Sequence, residues 1–349
     1  MLTFQPMNTI ALTKPNDLIH ILPLDESLIK AISHARESIK NIIQGRDSRL
    51  LVIVGPCSLH DPDATLEYAQ KLQVAAKHYE KTLYIIMRAY FAKPRTTTGW
   101  KGLVYDPFLN GSHDIEHGLY LTRKTLLQIN KFIPAASEFL DTITPYYFSD
   151  LISWCAIGAR TCASQVHREL ASSLPMPVGF KNSVDGNIQI AIHAAKSASS
   201  SHHYLGLNAK GEPAIIQTLG NAASHVILRG SSHSPNYSPY HIENTLQALS
   251  HACLAPRLII DCSHDNCGKK YQQQAKVIQE LTPYLQNYSE KSPICGIMIE
   301  SNLIGGKQKM TDPAQLIYGQ SITDGCLSWN DTEWLLEKMN ETLHQLFLG

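Results

Sequence analysis

Eight short apolar runs, rich in β-branched residues and separated by stretches of helical period, dominate the sequence between Arg49 and Glu300. They fall at 50–55, 83–88, 135–140, 154–160, 177–181, 225–229, 258–261 and 296–300. Runs this short and this apolar read as strands buried on both faces, the habit of a parallel sheet covered by helices. Helical patterns at 64–78, 118–130, 164–172, 185–198, 241–251 and 269–284, with a last one at 331–348, supply the covers. Eight βα repeats close on themselves, so the expected fold is α/β, a TIM (β/α)8 barrel; an open doubly wound sheet is the alternative.

Two segments stand outside the repeat. Residues 1–45 form an N-terminal extension whose clear signal is a helix with Leu28, Ile29, Ile32, Ile39, Ile42 and Ile43 at helical spacing, opened by Asp25 and Glu26 and closed by Gly45. Residues 46–349 are then the barrel, and about 203–218 reads as an inserted β-hairpin around Asn208-Ala209-Lys210-Gly211.

Charge narrows the partners. Lys and Arg number 30 against 30 Asp and Glu, so there is no bulk basic field for nucleic acid or an anionic membrane, and any cationic site must be local. No apolar run approaches the ~20 residues of a spanning helix, and the first residues lack a signal-peptide pattern, so a cytoplasmic protein is expected. Eight cysteines without CxxC pairing read as free thiols, most of them buried.

A barrel builds its site where its strands end. In chain order those ends offer Cys57, Arg88, Glu138, Arg160, Lys181, Arg229, His264 and Glu300. One such residue reads as a structural ion pair, but eight in phase converge on one pocket. Arg88, Arg160, Lys181 and Arg229 are cationic, and Lys93-Pro94-Arg95-Thr96 follows the second strand with two more cations. Guanidinium forks and ammonium charges in this number suit a ligand, or two, bearing several phosphate or carboxylate groups. Cys57, His264 and Glu300, joined by Asp324, form a mixed thiol, imidazole and carboxylate set suited to one divalent ion such as manganese, iron, cobalt or zinc.

Gly55-Pro56-Cys57-Ser58, Met87-Arg88-Ala89-Tyr90-Phe91 running into Lys93-Pro94-Arg95-Thr96, Gly158-Ala159-Arg160-Thr161, Val178-Gly179-Phe180-Lys181-Asn182, Leu228-Arg229-Gly230, Asp261-Cys262-Ser263-His264 and Ile299-Glu300-Ser301 together resemble the type I 3-deoxy-D-arabino-heptulosonate 7-phosphate (DAHP) synthases of microbes. The resemblance implies a metal-dependent barrel that condenses phosphoenolpyruvate with erythrose 4-phosphate and releases phosphate, at the start of the shikimate pathway. It implies that Arg88, Arg160, Lys181 and Arg229 hold phosphoenolpyruvate, that Lys93, Pro94, Arg95 and Thr96 cradle erythrose 4-phosphate, and that Cys57, His264, Glu300 and Asp324 bind the metal. Lys181, Glu138 and Lys93 are the expected catalytic groups, with Glu138 set to handle water and Lys181 to donate a proton. In such enzymes the N-terminal extension and hairpin serve assembly and feedback inhibition by an aromatic amino acid. A homo-oligomer, dimer or tetramer, is therefore expected, with tyrosine favoured over phenylalanine as inhibitor. Ala92, Cys162-Ala163 and Pro175 depart from the family pattern beside the sugar-phosphate loop, near Arg160 and in the effector region respectively. The alternatives are a related phosphoenolpyruvate-dependent ketose-phosphate synthase, such as one making an octulosonate 8-phosphate, and a non-catalytic metabolite-sensing barrel.

Overall fold

The structure, a computed structural model, describes residues 8–95, 97–286, 289 and 292–344. Eight parallel strands form the closed barrel: β1 (Leu50–Gly55), β2 (Leu83–Arg88), β3 (Ala135–Glu138), β4 (Trp154–Ile157), β5 (Val178–Lys181), β8 (His225–Leu228), β9 (Leu258–Asp261) and β10 (Ile294–Glu300). Around the barrel their order is β1-β10-β9-β8-β5-β4-β3-β2. The missing numbers are β6 (His202–Leu207) and β7 (Pro213–Thr218), an antiparallel hairpin at the expected place, and β11 (Ile304–Lys307) with β12 (Gln320–Ser321), a small pair after the last barrel strand. Nearly every residue of the barrel strands is buried, as two-sided cover demands.

The helices are α1 (Pro15–Ile21), α2 (Glu26–Ile43), α3 (Pro62–His78), α4 (Ile115–Asn130), α5 (Pro145–Phe148), α6 (Gln165–Ser173), α7 (Ile188–Ala198), α8 (Pro239–His251), α9 (Gln274–Glu280), α10 (Thr282–Gln286) and α11 (Trp329–His344). Their starts follow from local chemistry. The Asp61 carboxylate accepts from the backbone of Asp63 and Ala64, and Pro62 needs no partner in the first turn, so α3 begins there. Asp25 caps α2 through Leu28 N–H, and Asp114 caps α4 through His117 N–H.

Several boundaries differ from expectation. The runs at 135–140, 154–160 and 225–229 leave the ladder at Glu138, Ile157 and Leu228, because the chain turns there into the loops that carry the site. After β4, the amides of Thr161 and Cys162 already turn back to the Gly158 carbonyl. The fifth run starts one residue later, at Val178, and the eighth starts earlier, at Ile294. The pattern at 269–284 is not one helix: Lys269 has φ +58°, a 3-10 turn covers Tyr271–Gln273, and Pro283, lacking an N–H, cannot extend α9. Of the last helix, the stretch 345–348 lies outside the described residues.

The interior of the barrel is closed from below by the N-terminal extension. Ile39, Ile42 and Ile43 of α2 pack in one cluster with Leu51, Ile53, Ile86, Ala136, Trp154, Ala156, Ile227, Ile259, Cys295 and Met298, the inward residues of the strands. Each of those isoleucines is at most 3% exposed, so each contributes about 1.5–3 kcal/mol of apolar burial. With the floor sealed, the opposite rim, where the strands end, is the face on which a cavity opens.

Candidate active site and metal centre

At that rim lies a cavity of about 450 Å³. Lys93, Pro94, Arg95, Glu138, Arg160, Lys181, Arg229, His264, Glu300 and Asp324 all line it, so residues spread over most of the chain converge as the strand count implied. Arg88 and Cys57 are fully buried and stand behind the wall. Thr96, grouped with them in the sequence reading, lies outside the described residues.

Local backbone choices make the convergence possible. Gly55 ends β1 with φ +152°, and a Cβ there would lie 2.9 Å from the Arg88 carbonyl oxygen; the glycine lets β1 pass β2 closely enough to bring Cys57 beside Arg88. Gly158 follows β4, and a Cβ on it would come within 2.0 Å of Glu138 Oε1. Any side chain at 158 would push the Glu138 carboxylate out of its place.

Carboxylates hold three of the cations. Arg88 Nη2 donates to Glu300 Oε1 at 3.1 Å, and its guanidinium lies 4.0 Å from the Tyr90 ring centroid. Its Nε and Nη1 are buried without a hydrogen-bond acceptor, a cost of about 1–3 kcal/mol per group that an anionic ligand would offset. Lys181 Nζ donates to Asp261 Oδ2 at 2.8 Å. Arg229 Nη1 donates to Asp265 Oδ2.

Asp261 has a second task. Its Oδ2 lies 2.9 Å from His264 Nδ1, a contact that fixes the ring and leaves Nε2 on the side of Glu300. Burial alone would raise the Asp261 pKa, but His264 and Lys181 hold it well below the usual carboxylate value. His264 itself has φ +56°, a left-handed backbone uncommon outside glycine, which turns its ring toward the cavity.

Of the four residues grouped for a metal in the sequence, three meet and His264 stands beside them. Ligand atoms of Cys57, Glu300 and Asp324 all lie within 4.8 Å of one another, and His264 Nε2 stands at the edge of this trio, 3.8 Å from Glu300 Oε1. One thiol, two carboxylates and an oriented imidazole match the donors a borderline divalent ion takes, and the adjoining cavity leaves room for a further ligand. Lys93 Nζ donates to both Sγ and the carbonyl of Cys57, each at 3.1 Å. Burial, reinforced by Glu300, pushes the Cys57 thiol up to about 11, with Lys93 working against them. Loss of water around Asp324 acts to raise its pKa, yet Lys93 and His264 outweigh it and the carboxyl sits below its ordinary value.

Residues that sequence reasoning passed over complete the site. Gln274 straps the end of β10, donating to the Glu300 carbonyl at 2.9 Å and accepting from the Glu300 amide at 2.8 Å. Asp265, Lys269 and Lys307 add charge to the lining. Asp261 had a signal, since it is the last residue of an apolar run; Gln274 had none.

The chain matches the model of the DAHP synthetase I family over residues 27–337. It is 45% identical over 335 residues to the Tyr-sensitive phospho-2-dehydro-3-deoxyheptonate aldolase of Escherichia coli (strain K12), covering 95% of this chain and 93% of that protein. It is 48% identical over 337 residues to the Trp-sensitive phospho-2-dehydro-3-deoxyheptonate aldolase of Buchnera aphidicola, with 96% of each chain covered. A solved phospho-2-dehydro-3-deoxyheptonate aldolase from Francisella tularensis SCHU S4 superposes with a TM-score of 0.94 at 44% identity, over 97% of this chain and 99% of that one.

Proposed function

The chain belongs to the DAHP synthetase I family, and on that premise we propose a residue-by-residue reading of how its cavity works. The enzyme condenses phosphoenolpyruvate with D-erythrose 4-phosphate and water, giving 3-deoxy-D-arabino-heptulosonate 7-phosphate and phosphate, the first step toward the aromatic amino acids. The observation that carries the reading is the meeting of strand-end cations with a thiol and carboxylate trio around one cavity.

Arg88, Arg160, Lys181 and Arg229 hold phosphoenolpyruvate; the two unsatisfied N–H groups of buried Arg88 support its part in this. Lys93, Pro94 and Arg95, with Thr96, hold the sugar phosphate, Pro94 limiting the backbone freedom lost on binding. Cys57, Glu300 and Asp324, with His264, would hold a divalent metal, which when bound supplies Lewis-acid polarisation of the aldehyde. The enol carbon of phosphoenolpyruvate forms a bond to the aldehyde carbon, and the aldehyde oxygen takes a proton, for which Lys181, braced by Asp261, is the donor. Water then adds to the neighbouring, phosphate-bearing carbon, losing one proton to Glu138, and the C–O bond to phosphate breaks as the new hydroxyl gives its remaining proton to the departing phosphate and becomes the ketone. Arg160 and Arg229 stabilise the phosphate as it leaves.

The remaining assignments follow the same reading. Residues 1–45 are an assembly and regulatory extension on a catalytic barrel of 46–349, and the chain forms a dimer or tetramer. The outer hairpin face supports this, with Leu205 at 90%, Ile215 at 72% and nearby Leu219 at 96% exposure. Tyrosine, then phenylalanine, is the proposed inhibitor. A cavity of about 490 Å³ between α2 and the stretches leading into β5 and β8, lined by Arg36, Lys40 and Pro175 among others, and the Tyr204 hydroxyl 2.8 Å from Ser173 Oγ support a regulatory region there. Among the described residues no helix is long and apolar enough to cross a membrane, and all eight cysteines are free, in keeping with a cytoplasmic setting.

The test is phosphate release from phosphoenolpyruvate by chelator-treated protein. Release that requires both erythrose 4-phosphate and an added divalent ion is expected; release independent of the sugar phosphate, or none with any ion, overturns the reading. Titrating tyrosine, phenylalanine and tryptophan into the same assay tests the regulatory part, which indifference to all three removes.

A further inference from the structure

Asp265 is a negative charge set on the wall of a cavity otherwise built for anions. The other two carboxylates that pair with the strand-end cations are committed elsewhere, Glu300 to the metal-type trio and Asp261 to His264. Asp265 belongs to neither group. Its Oδ2 accepts from Arg229 Nη1, and its Oδ1 faces Lys269 Nζ at 3.4 Å.

The arrangement is rigidly built. The loop after β9 is pinned by Lys269 N–H to the His264 carbonyl at 2.8 Å and by Gly268 N–H to the Asp265 carbonyl at 3.0 Å. Asn266 Nδ2 donates to the carbonyls of Leu228 and Asp261 at 3.1 and 2.9 Å, tying the loop to the ends of β8 and β9. Gly230, with φ +76°, permits this docking, since a Cβ there would lie 2.6 Å from the Asn266 amide nitrogen and 2.7 Å from the Asp265 carbonyl carbon. Asp265 is left 9% exposed, fixed against Arg229, while Lys269 reaches it from solvent with 74% of its side chain exposed.

Orienting a guanidinium needs only an acceptor, and neutral carbonyls do that for Arg36, which donates to the Ser149 and Ile152 carbonyl oxygens. A full negative charge does something more: it competes with any anion for Arg229 and lowers the potential of the cavity. We propose that Asp265 sets how tightly this site keeps inorganic phosphate, preventing Arg229 and its cationic neighbours from retaining the product after C–O cleavage. Asp265 thereby acts through Arg229, as a positioning and release-setting residue. The proposal rests on the reading of the cavity as the place where phosphate is liberated.

The experiment is calorimetric titration of inorganic phosphate into the full-length protein, comparing the parent with Asp265→Asn, Asp265→Ser and Asp265→Glu. Asn keeps the shape and an acceptor but removes the charge, so phosphate should bind on the order of tenfold more tightly. Phosphate inhibition of turnover should strengthen alongside. Ser should move the same way, and Glu, which keeps the charge, should stay within about threefold of the parent. Circular dichroism identifies any variant that has lost its fold, and the surviving neutral variant carries the comparison. Phosphate affinity unchanged or weakened in the folded neutral variants overturns the proposal. A parent that binds no phosphate overturns both the proposal and the reading of the cavity, whereas a parent that binds phosphate but makes no heptulosonate overturns the synthase reading alone.

Discussion

Acid should weaken this barrel through His225, at the start of β8 beneath the cavity. The ring is buried, its Nδ1 lies 2.9 Å from the Ala223 carbonyl oxygen, and its Nε2 lies 3.2 Å from the Trp154 indole nitrogen. A carbonyl can only accept and an indole N–H can only donate, so the ring is neutral, with its proton on Nδ1. A second proton on Nε2 would point at the indole N–H. Burial accordingly pulls the pKa from 6.5 to about 4, the Ala223 bond opposing it only in part. A group whose folded pKa is depressed stabilises the native state fully above its unfolded value and loses that stabilisation as pH falls toward the folded one. The loss from this residue is about 1 kcal/mol at pH 5.5 and about 3 kcal/mol at pH 4. His225→Gln supplies an oxygen for the indole but does not titrate, so it separates this group from every other. Urea unfolding of both proteins across the range should show their stability difference constant above neutrality and converging by that amount below it. A difference that stays flat down to pH 4 would refute the argument.

Three further outcomes follow from the site. Gly158→Ala drives a methyl group into the Glu138 carboxylate, and turnover should fall about 100-fold with little change in KM for phosphoenolpyruvate, measured by steady-state kinetics; near-parental turnover would show that Glu138 has no exacting position. Lys181→Ala should abolish measurable turnover while metal content, read by elemental analysis after loading, is kept, and normal turnover would remove Lys181 as proton donor. Asp261→Asn should weaken metal binding about 10–100-fold in chelator competition, because it releases His264 from its set orientation, and unaltered affinity would mean that His264 is not a ligand.

The barrel was legible because burial on two faces leaves a strong mark in sequence: apolar runs such as Leu50–Gly55 have no polar alternation to confuse. The site was legible because each run ends in a chemically distinct residue, and closure into a barrel turns that phase into proximity. Pairing was not legible. Asp265 on Arg229 is a contact across two strand ends, set by the φ of Gly230 and by the tight loop that follows β9, neither of which leaves a periodic trace. The β11–β12 pair escaped because its strands, of 4 and 2 residues, are too short to show alternation. The break between α9 and α10 had its cue in Thr282-Pro283, but an apolar period running through both pieces concealed it.

The docking of α2 bears on the order in which this protein can be assembled. The helix leaves the ribosome before any barrel strand, yet its isoleucines share a cluster with Cys295 and Met298, contributed by the last barrel strand to be made. Through most of synthesis that greasy face has only part of its receptacle, and the contact joining them closes a loop of some 250 residues. Such long-range closure is slow and leaves partly folded chains prone to association. Made before every barrel strand, α2 is thus among the last elements to reach its final surroundings, and emergence of β10, rather than of the extension, is the moment at which the floor of the barrel can seal.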